Sequence, residues 1–279
     1  MSGGCLVSAI AGRTGDVARG KLAVVTGASS GIGLELARLF AADGHDLVVA
    51  SDETQIFFAA EELGVGGVHV EPLELDLRAV EDVEHLYDVI SHGERVPDAA
   101  VFNAGIGGAG RFVEDDVQRD LDIVDVNVRS TVQLAKLVLR DMVDRKRGRV
   151  LFTSSLVAMM PGSYQTMYNA SKAFIQSFSK GLHDEFRGTG VSVTALMPGP
   201  TDTAFFRRAE MVDTPLGRMP FKDDPAKTAK QGYDAMMRGD QKIVASSMSS
   251  KLMGFAGRVL PNSVKAVANR LIVTPFGDR

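Results

Sequence analysis

Tyr168 and Lys172 stand four residues apart in a stretch of helical period, so both side chains project from one helix face. That spacing has acid–base consequences. A free phenol ionises at about pH 10, too high for efficient proton transfer near neutrality, and an adjacent ammonium favours the phenolate. Tyr168 is therefore the candidate proton-transfer residue and Lys172 its electrostatic partner, although an isolated pair of this kind is more simply a partly buried tyrosine beside an exposed lysine. Upstream, Ser155 follows the apolar run Val150-Leu151-Phe152, where a hydroxyl can donate to a substrate oxygen and polarise it. Its neighbour Ser154 suits a turn. Tyr164 has Tyr168, not a lysine, four positions later and reads as a pocket wall.

A second constellation concerns phosphate. The segment Thr26-Gly27-Ala28-Ser29-Ser30-Gly31-Ile32-Gly33 closes one apolar run and opens a helical one. Its glycines let the backbone turn tightly and approach a pyrophosphate, while the helix that follows offers free N–H groups and a positive dipole end. Glycines alone also mark plain turns. With a strand before and a helix after, the order predicts dinucleotide binding through Gly27, Ser29, Ser30, Gly31, Ile32 and Gly33.

The Gly-x-x-x-Gly-x-Gly spacing, in place of Gly-x-Gly-x-x-Gly, resembles the short-chain dehydrogenase/reductase family. Four further motifs agree in order: Asn103-Ala104-Gly105, Asn127, Ser155 with Tyr168-x-x-x-Lys172, and Pro198-Gly199. The resemblance implies a nicotinamide-dependent oxidoreductase with Tyr168 as general acid/base and Lys172 serving both tyrosine and ribose. It selects Ser155 over Ser154 by its distance before the tyrosine. It gives Asn127 the role of bending a helix and holding a water that links the lysine to solvent, where a plain reading has a helix asparagine facing solvent. Asn103, Ala104 and Gly105 would stabilise the sheet and line the adenosine side, with Phe102 standing where the family commonly has another asparagine. Asp76, beside Leu77, would meet the adenine amino group or cap a helix. Pro198, Gly199, Thr201 and Thr203 would meet the nicotinamide, Thr203 through its carboxamide.

A 2'-phosphate needs a cation near the end of the second strand, and a free ribose hydroxyl pair suits a carboxylate. The sequence there, Val48-Val49-Ala50-Ser51-Asp52-Glu53, has two acids and no base, and Ser29 and Ser30 are uncharged. NAD is expected over NADP, with Asp52 on the ribose. A capping box from Asp52 to Gln55 is the competing reading.

The elements that position these residues alternate short apolar runs with longer amphipathic ones. Strands are predicted at 22–26, 47–51, 68–73, 99–103, 149–153, 191–197 and 242–244. Helices are predicted at 31–43, 53–63, 80–91, 117–144, 168–187 and 226–238. The fold class is α/β: a doubly wound, Rossmann-like parallel sheet of about seven strands, helices on both faces, in a single domain. Residues 1–19 read as an extension, 20–250 as the domain with a lid at about 204–224, and 251–279 as a helical tail packed on the lid or on a partner subunit.

Composition restricts function. A net charge of -4 gives no basis for nucleic acid binding. The single cysteine, Cys5, excludes an internal disulfide and a cysteine-rich zinc site, which fits a reducing cytoplasm, and the scattered histidines predict no metal. No apolar run predicts an integral membrane segment. The lid residues Phe205, Phe206, Met211, Leu216, Met219 and Phe221 predict a hydrophobic carbonyl or alcohol substrate. Arg207 and Arg208 either anchor a carboxylate or phosphate or are plain solvated surface. In the tail, Lys251, Arg258 and Lys265 recur at intervals of seven, while Leu252, Phe255 and Val259, then Val264, Val267, Leu271 and Ile272, form an apolar pattern. Packing against the lid or a second subunit is expected, in a homodimer or homotetramer. An idle dinucleotide-binding scaffold and a membrane-associated acyl reductase are the alternatives.

Overall fold

The computed structural model describes residues 20–245 and 261–274. Leu252, Phe255, Val259, Lys251 and Arg258, like the segment 1–19, lie outside them. Seven parallel strands form one sheet in the order β3-β2-β1-β4-β5-β6-β7. They are β1 Leu22–Thr26, β2 Asp46–Ser51, β3 Val70–Glu74, β4 Ala99–Phe102, β5 Gly148–Thr153, β6 Val191–Pro198 and β7 Lys242–Ala245. Every residue of β1 is buried, as a central strand covered on both faces requires.

Alternation along the strands divides the core. Leu22, Val24, Val48, Phe102 and Phe152 point to one face of the sheet. There they meet α3 (Val80–Ser91), α5 (Ser130–Asp144) and α6 (Thr166–Glu185). Ala23, Val25, Leu47 and Val49 point to the other face. They meet α1 (Gly31–Ala42), α2 (Gln55–Gly64) and α8 (Pro225–Arg238). Phe40 of α1 is wholly buried, a contribution of roughly 2–3 kcal/mol on burial.

Several predicted elements shift. The third strand starts at Val70, not 68, and runs to Glu74, because it pairs with β2 from Leu47↔Val70 to Ser51↔Glu74. It is an edge strand, which is why Pro72 is tolerated inside it. The helix expected at 117–144 is broken into α4 (Val117–Val124), a π-helical turn Asp125–Arg129, and α5. Helix α2 opens at Gln55 with Thr54 in the cap position, so Asp52 forms no capping box. Helix α8 has the expected stop and start chemistry, with Asp224 accepting from Ala226 N, Pro at its first turn and left-handed Gly239 after its end.

The lid carries α7 (Phe205–Arg208), and the chain resumes with α9 (Asn262–Val273). Phe206, Ala209, Met211 and Leu216 of the lid pack with Val273, and Leu216 N donates to Ile272 O at 2.9 Å. The rest of α9 departs from the expected pattern. Lys265 is buried and Val264, Val267 and Leu271 are exposed. The face that docks is chosen by Asn269, whose amide reaches Ser163 O at 3.0 Å, and by Val273, not by the longest apolar stripe.

Candidate active site

A cleft of about 320 Å³ opens beyond the C-terminal strand ends, where the strand order reverses between β1 and β4. Its floor is built by the turn after β1. Gly27 and Gly31 have φ of 67° and 59°, in the left-handed region. A Cβ on Gly33 would lie 2.1 Å from Gly27 O, so only glycine lets α1 pack on this turn. Helix α1 starts at Ser30 with no side-chain cap and no acid in its first turn. Its first N–H groups are therefore open to an anion at the positive end of the helix.

Gly27, Ser30, Gly31 and Ile32 line the cleft, whereas Ser29 and Gly33 do not. Ser29 is buried in the scaffold behind it, donating to Glu53 Oε2 at 2.7 Å and accepting from Ser51 Oγ at 3.0 Å. Asn103 clamps three loops together. Its backbone N donates to Thr26 Oγ1 (3.0 Å), its amide to Thr26 O and Gly27 O (both 3.2 Å), and it accepts from Thr153 Oγ1 at 3.1 Å. Ala104 and Gly105 follow it along the wall. A Cβ on Gly105 would come within 2.9 Å of Lys172 Nζ and 3.1 Å of Asn127 Oδ1, so any larger residue here would push the ammonium aside.

Asp52, Asp76 and Leu77 also line the cleft. Asp76 does not cap α3, whose cap position is Ala79. Its carboxylate is forked by Arg78 at 2.7 Å, which holds it below the usual carboxylate range, and Arg78 also pairs with Asp122 at 2.7 Å. Pro198, Gly199, Thr201 and Thr203 line the opposite wall, and a short parallel bridge joins Thr201 to Asp223.

The predicted proton-transfer residues converge deeper in. Tyr168 (9% exposed) and Lys172 (5%) sit on the first turns of α6, with Lys172 Nζ 5.8 Å from the phenol ring centre. Ser155 starts the turn after β5, its hydroxyl accepting from Val157 N at 3.3 Å and lying beside the phenol. Ser154 instead donates to Lys172 O at 2.8 Å, a structural tie between β5 and α6.

The expected lowering of the phenol is overturned. Burial pushes Tyr168 up to about 12, with the Ser155 hydroxyl acting weakly in the other direction. Burial also pulls Lys172 down to about 8, and its ammonium donates to Thr153 O at 3.1 Å. Desolvation is the largest cause for both groups, disfavouring the charged form of each. Near neutrality the buried phenol keeps its proton.

Asn127 lies behind the cleft, outside its lining and 1% exposed, which excludes the solvent-facing reading. It sits in the middle of the π-turn. Its Oδ1 accepts from Ile106 N and its Nδ2 donates to Ile106 O, both at 2.9 Å, and Nδ2 also reaches Ser171 Oγ at 3.0 Å. The amide thus pairs with the segment after Gly105 like a strand neighbour. The widened turn accommodates this, and such turns gather at functional sites.

Tyr164 lies outside this cleft, against a small neighbouring pocket, with φ of 65°. Gln165 carries no local signal, whereas Arg208 reads as an anion anchor or as solvated surface, with nothing in the sequence to place it. Gln165 lines the apolar end of the cleft; its Nε2 faces Met211 Sδ at 3.0 Å, and its Oε1 is buried with no hydrogen-bond partner among the described residues. Arg208 of α7 reaches back to Ser30 Oγ (3.2 Å) and Glu53, bringing a cation to a region that is uncharged or acidic in the local sequence. Among the described residues, no three His, Cys, Asp or Glu side chains gather as a metal site, and no helix is long and apolar enough to cross a membrane.

Glycines that admit close approach, an uncapped helix start and a carboxylate at the end of β2 together fit a dinucleotide. Comparison with known proteins agrees. Residues 21–212 match the model of the short chain dehydrogenase family. Oxidoreductase UcpA of Salmonella typhimurium is 34% identical over 264 residues, covering 88% of this chain and 97% of that protein. An uncharacterized oxidoreductase of Myxococcus xanthus is 32% identical over 253 residues, covering 90% and 97%. A short-chain dehydrogenase from Sphingobium yanoikuyae in complex with NADPH superposes with a TM-score of 0.76 at 26% identity, over 85% of this chain and 93% of that one. A Burkholderia phymatum member in complex with NAD, at 21% identity and a TM-score of 0.75 over 84% and 92%, shares the fold. The chain belongs to the short-chain dehydrogenase/reductase family of oxidoreductases. A nicotinamide dinucleotide is the cofactor class that the cleft and the relatives support.

Proposed function

We propose that this protein moves a hydride between a nicotinamide dinucleotide and the carbonyl or secondary-alcohol carbon of a small, largely apolar molecule, with Tyr168 as general acid/base. The carrying observation is the convergence of Tyr168, Ser155 and Lys172 at the base of the cleft, with the phenol protonated near neutrality. The bound dinucleotide supplies or accepts the hydride.

The chain's own residues do the rest. Gly27, Gly31, Ile32 and the open amides of α1 hold the pyrophosphate. Asp52 takes the ribose hydroxyls, Asp76 and Leu77 flank the adenine, and Thr201 and Thr203 with Pro198 and Gly199 flank the nicotinamide. In reduction, Ser155 donates a hydrogen bond to the carbonyl oxygen and Tyr168 delivers its proton there as charge develops. Lys172, beside Tyr168, would hold the ribose, and Asn127 fixes the segment after Gly105.

NAD is favoured over NADP. Arg78 is already engaged by Asp76 and Asp122, whereas Asp52 has no cationic partner among the described residues. The apolar end of the cleft, with Met160, Phe205, Phe206, Met211, Leu216 and Ile272, suits a hydrophobic substrate. Exposed Phe112, Val113, Val117 and Leu121 near α4 suit a homodimer or homotetramer, which light scattering would resolve.

Tyr168→Phe tests the core of this reading. Turnover on a panel of ketones and alcohols should fall by roughly 10²–10⁴ while cofactor affinity stays nearly constant. Turnover equal to that of the parent enzyme would remove Tyr168 from the mechanism.

A further inference from the structure

The guanidinium of Arg208 stands beside Ser30, the residue that opens α1, with one nitrogen shared between Ser30 Oγ and Glu53. A cation at this place is at odds with the helix. The start of a helix carries a partial positive charge, and basic side chains are stabilising at its other end. Glu53 offsets part of the conflict, and is itself held by Ser29 at 2.7 Å. Arg208 lines the same cleft as Gly27, Gly31 and Asp52, and a guanidinium has five N–H donors, of which the Ser30 and Glu53 contacts use one nitrogen.

We infer that Arg208 is a cofactor-positioning residue: its remaining donors take the dinucleotide's pyrophosphate, completing from the lid an anion site whose other half is the start of α1. The inference rests on the dinucleotide reading above. A dianionic pyrophosphate between the two positive groups turns their repulsion into shared attraction, and the planar guanidinium suits phosphate oxygens. The same residue ties the two halves of the cleft. Arg208 ends α7, whose first residue, Phe205, packs its ring 5.2 Å from that of Tyr168. Phosphate capture at one end of the short helix therefore holds the substrate wall at the other.

The test uses the intact protein and three small probes: ADP-ribose, which has the pyrophosphate, adenosine, which lacks phosphate, and 2'-AMP, which carries phosphate at the ribose. Binding is measured by calorimetry, with melting temperature as a check on folding. Arg208→Gln should weaken ADP-ribose by about tenfold, as for the loss of a charge-assisted hydrogen bond. Adenosine affinity should hold, and Arg208→Lys should recover part of the loss. Equal binding of ADP-ribose by parent and Arg208→Gln proteins would overturn the inference. So would an equal loss for adenosine and ADP-ribose, which marks a lid tether only, or a loss confined to 2'-AMP, which moves the contact to the 2'-position. Failure of the parent protein to bind ADP-ribose and NADH at all would instead overturn the dinucleotide reading on which the inference stands.

Discussion

Lys172→Met should make the protein more stable and inactive at once. Burial draws the Lys172 ammonium from its ordinary 10.5 to about 8. At 1.36 kcal/mol per pH unit, that difference makes its burial cost about 3 kcal/mol when charged. The bond from Nζ to Thr153 O returns roughly 1 kcal/mol, leaving a net gain of about 2 kcal/mol for an apolar side chain of similar length. For a chain of this size the gain corresponds to roughly 5 °C in melting temperature. Its pH dependence is the sharper test. Below pH 8 the lysine is charged in both folded and unfolded chains, so the folded state bears the whole cost. Between 8 and 10.5 the folded chain sheds its proton while the unfolded chain keeps it, and the cost disappears. Tyr168, raised to about 12, stays protonated in the folded state throughout this window, and its effect begins only as the unfolded phenol ionises near 10. Melting curves of both proteins at pH 6.5, 7.5 and 9.5 should show a gap that is widest at the two lower values and narrows at the highest. A variant that melts lower than the parent at pH 7, or a gap that fails to narrow by pH 9.5, would refute the account of Lys172 as a buried charge held for function.

Asp52→Arg should narrow or reverse a preference for NAD, since it exchanges repulsion for attraction at the 2'-position; a parent enzyme that prefers NADP would leave Asp52 without that role. Gln165→Met should leave the melting temperature unchanged or raise it by the equivalent of roughly 1 kcal/mol, because it removes a buried acceptor with no partner and puts a thioether beside Met211. A loss of more than about 2 kcal/mol would mean that Gln165 Oε1 accepts a hydrogen bond that stabilises the fold.

The fold was legible because its signals are local and repeated. Apolar runs such as Val24-Val25 and Val193–Met197 are continuous where a strand is covered on both faces, and helices alternate with them. Residues Ser155, Tyr168 and Lys172 were legible because their positions relative to strand ends and one helix face bring them together. What escaped depends on partners far along the chain. The break at Asp125–Arg129 was implied at Asn127 by the family resemblance alone; helical period does not reveal it, nor the pairing of Asn127 with Ile106 that accompanies it. The cation near Ser30 comes from Arg208, 178 residues away. The direction of the Tyr168 shift was misjudged because spacing reports the nearness of Lys172 but not the depth of burial, and burial decided the balance. On α9, apolar periodicity pointed to Val264, Val267, Leu271 and Ile272; Ile272 does pack against the lid, but the other three are exposed, and the helix docks through Asn269 and Val273 as well.

The π-turn also acts as a phase shifter. Successive residues of an α-helix advance by about 100°, so one residue more or less between α4 and α5 rotates one helix against the other by that angle. Leu134, Val138 and Met142 of α5 are pinned to the sheet, so the rotation would fall on α4. Helix α4 carries Ile123 inward and sends Arg119 to Ala209 O on the lid. Trimming the turn to a regular helix would therefore swing Arg119 off the lid while the sheet kept its packing. The five residues around Asn127 set the angular alignment between the rigid sheet and the segment that walls the substrate space.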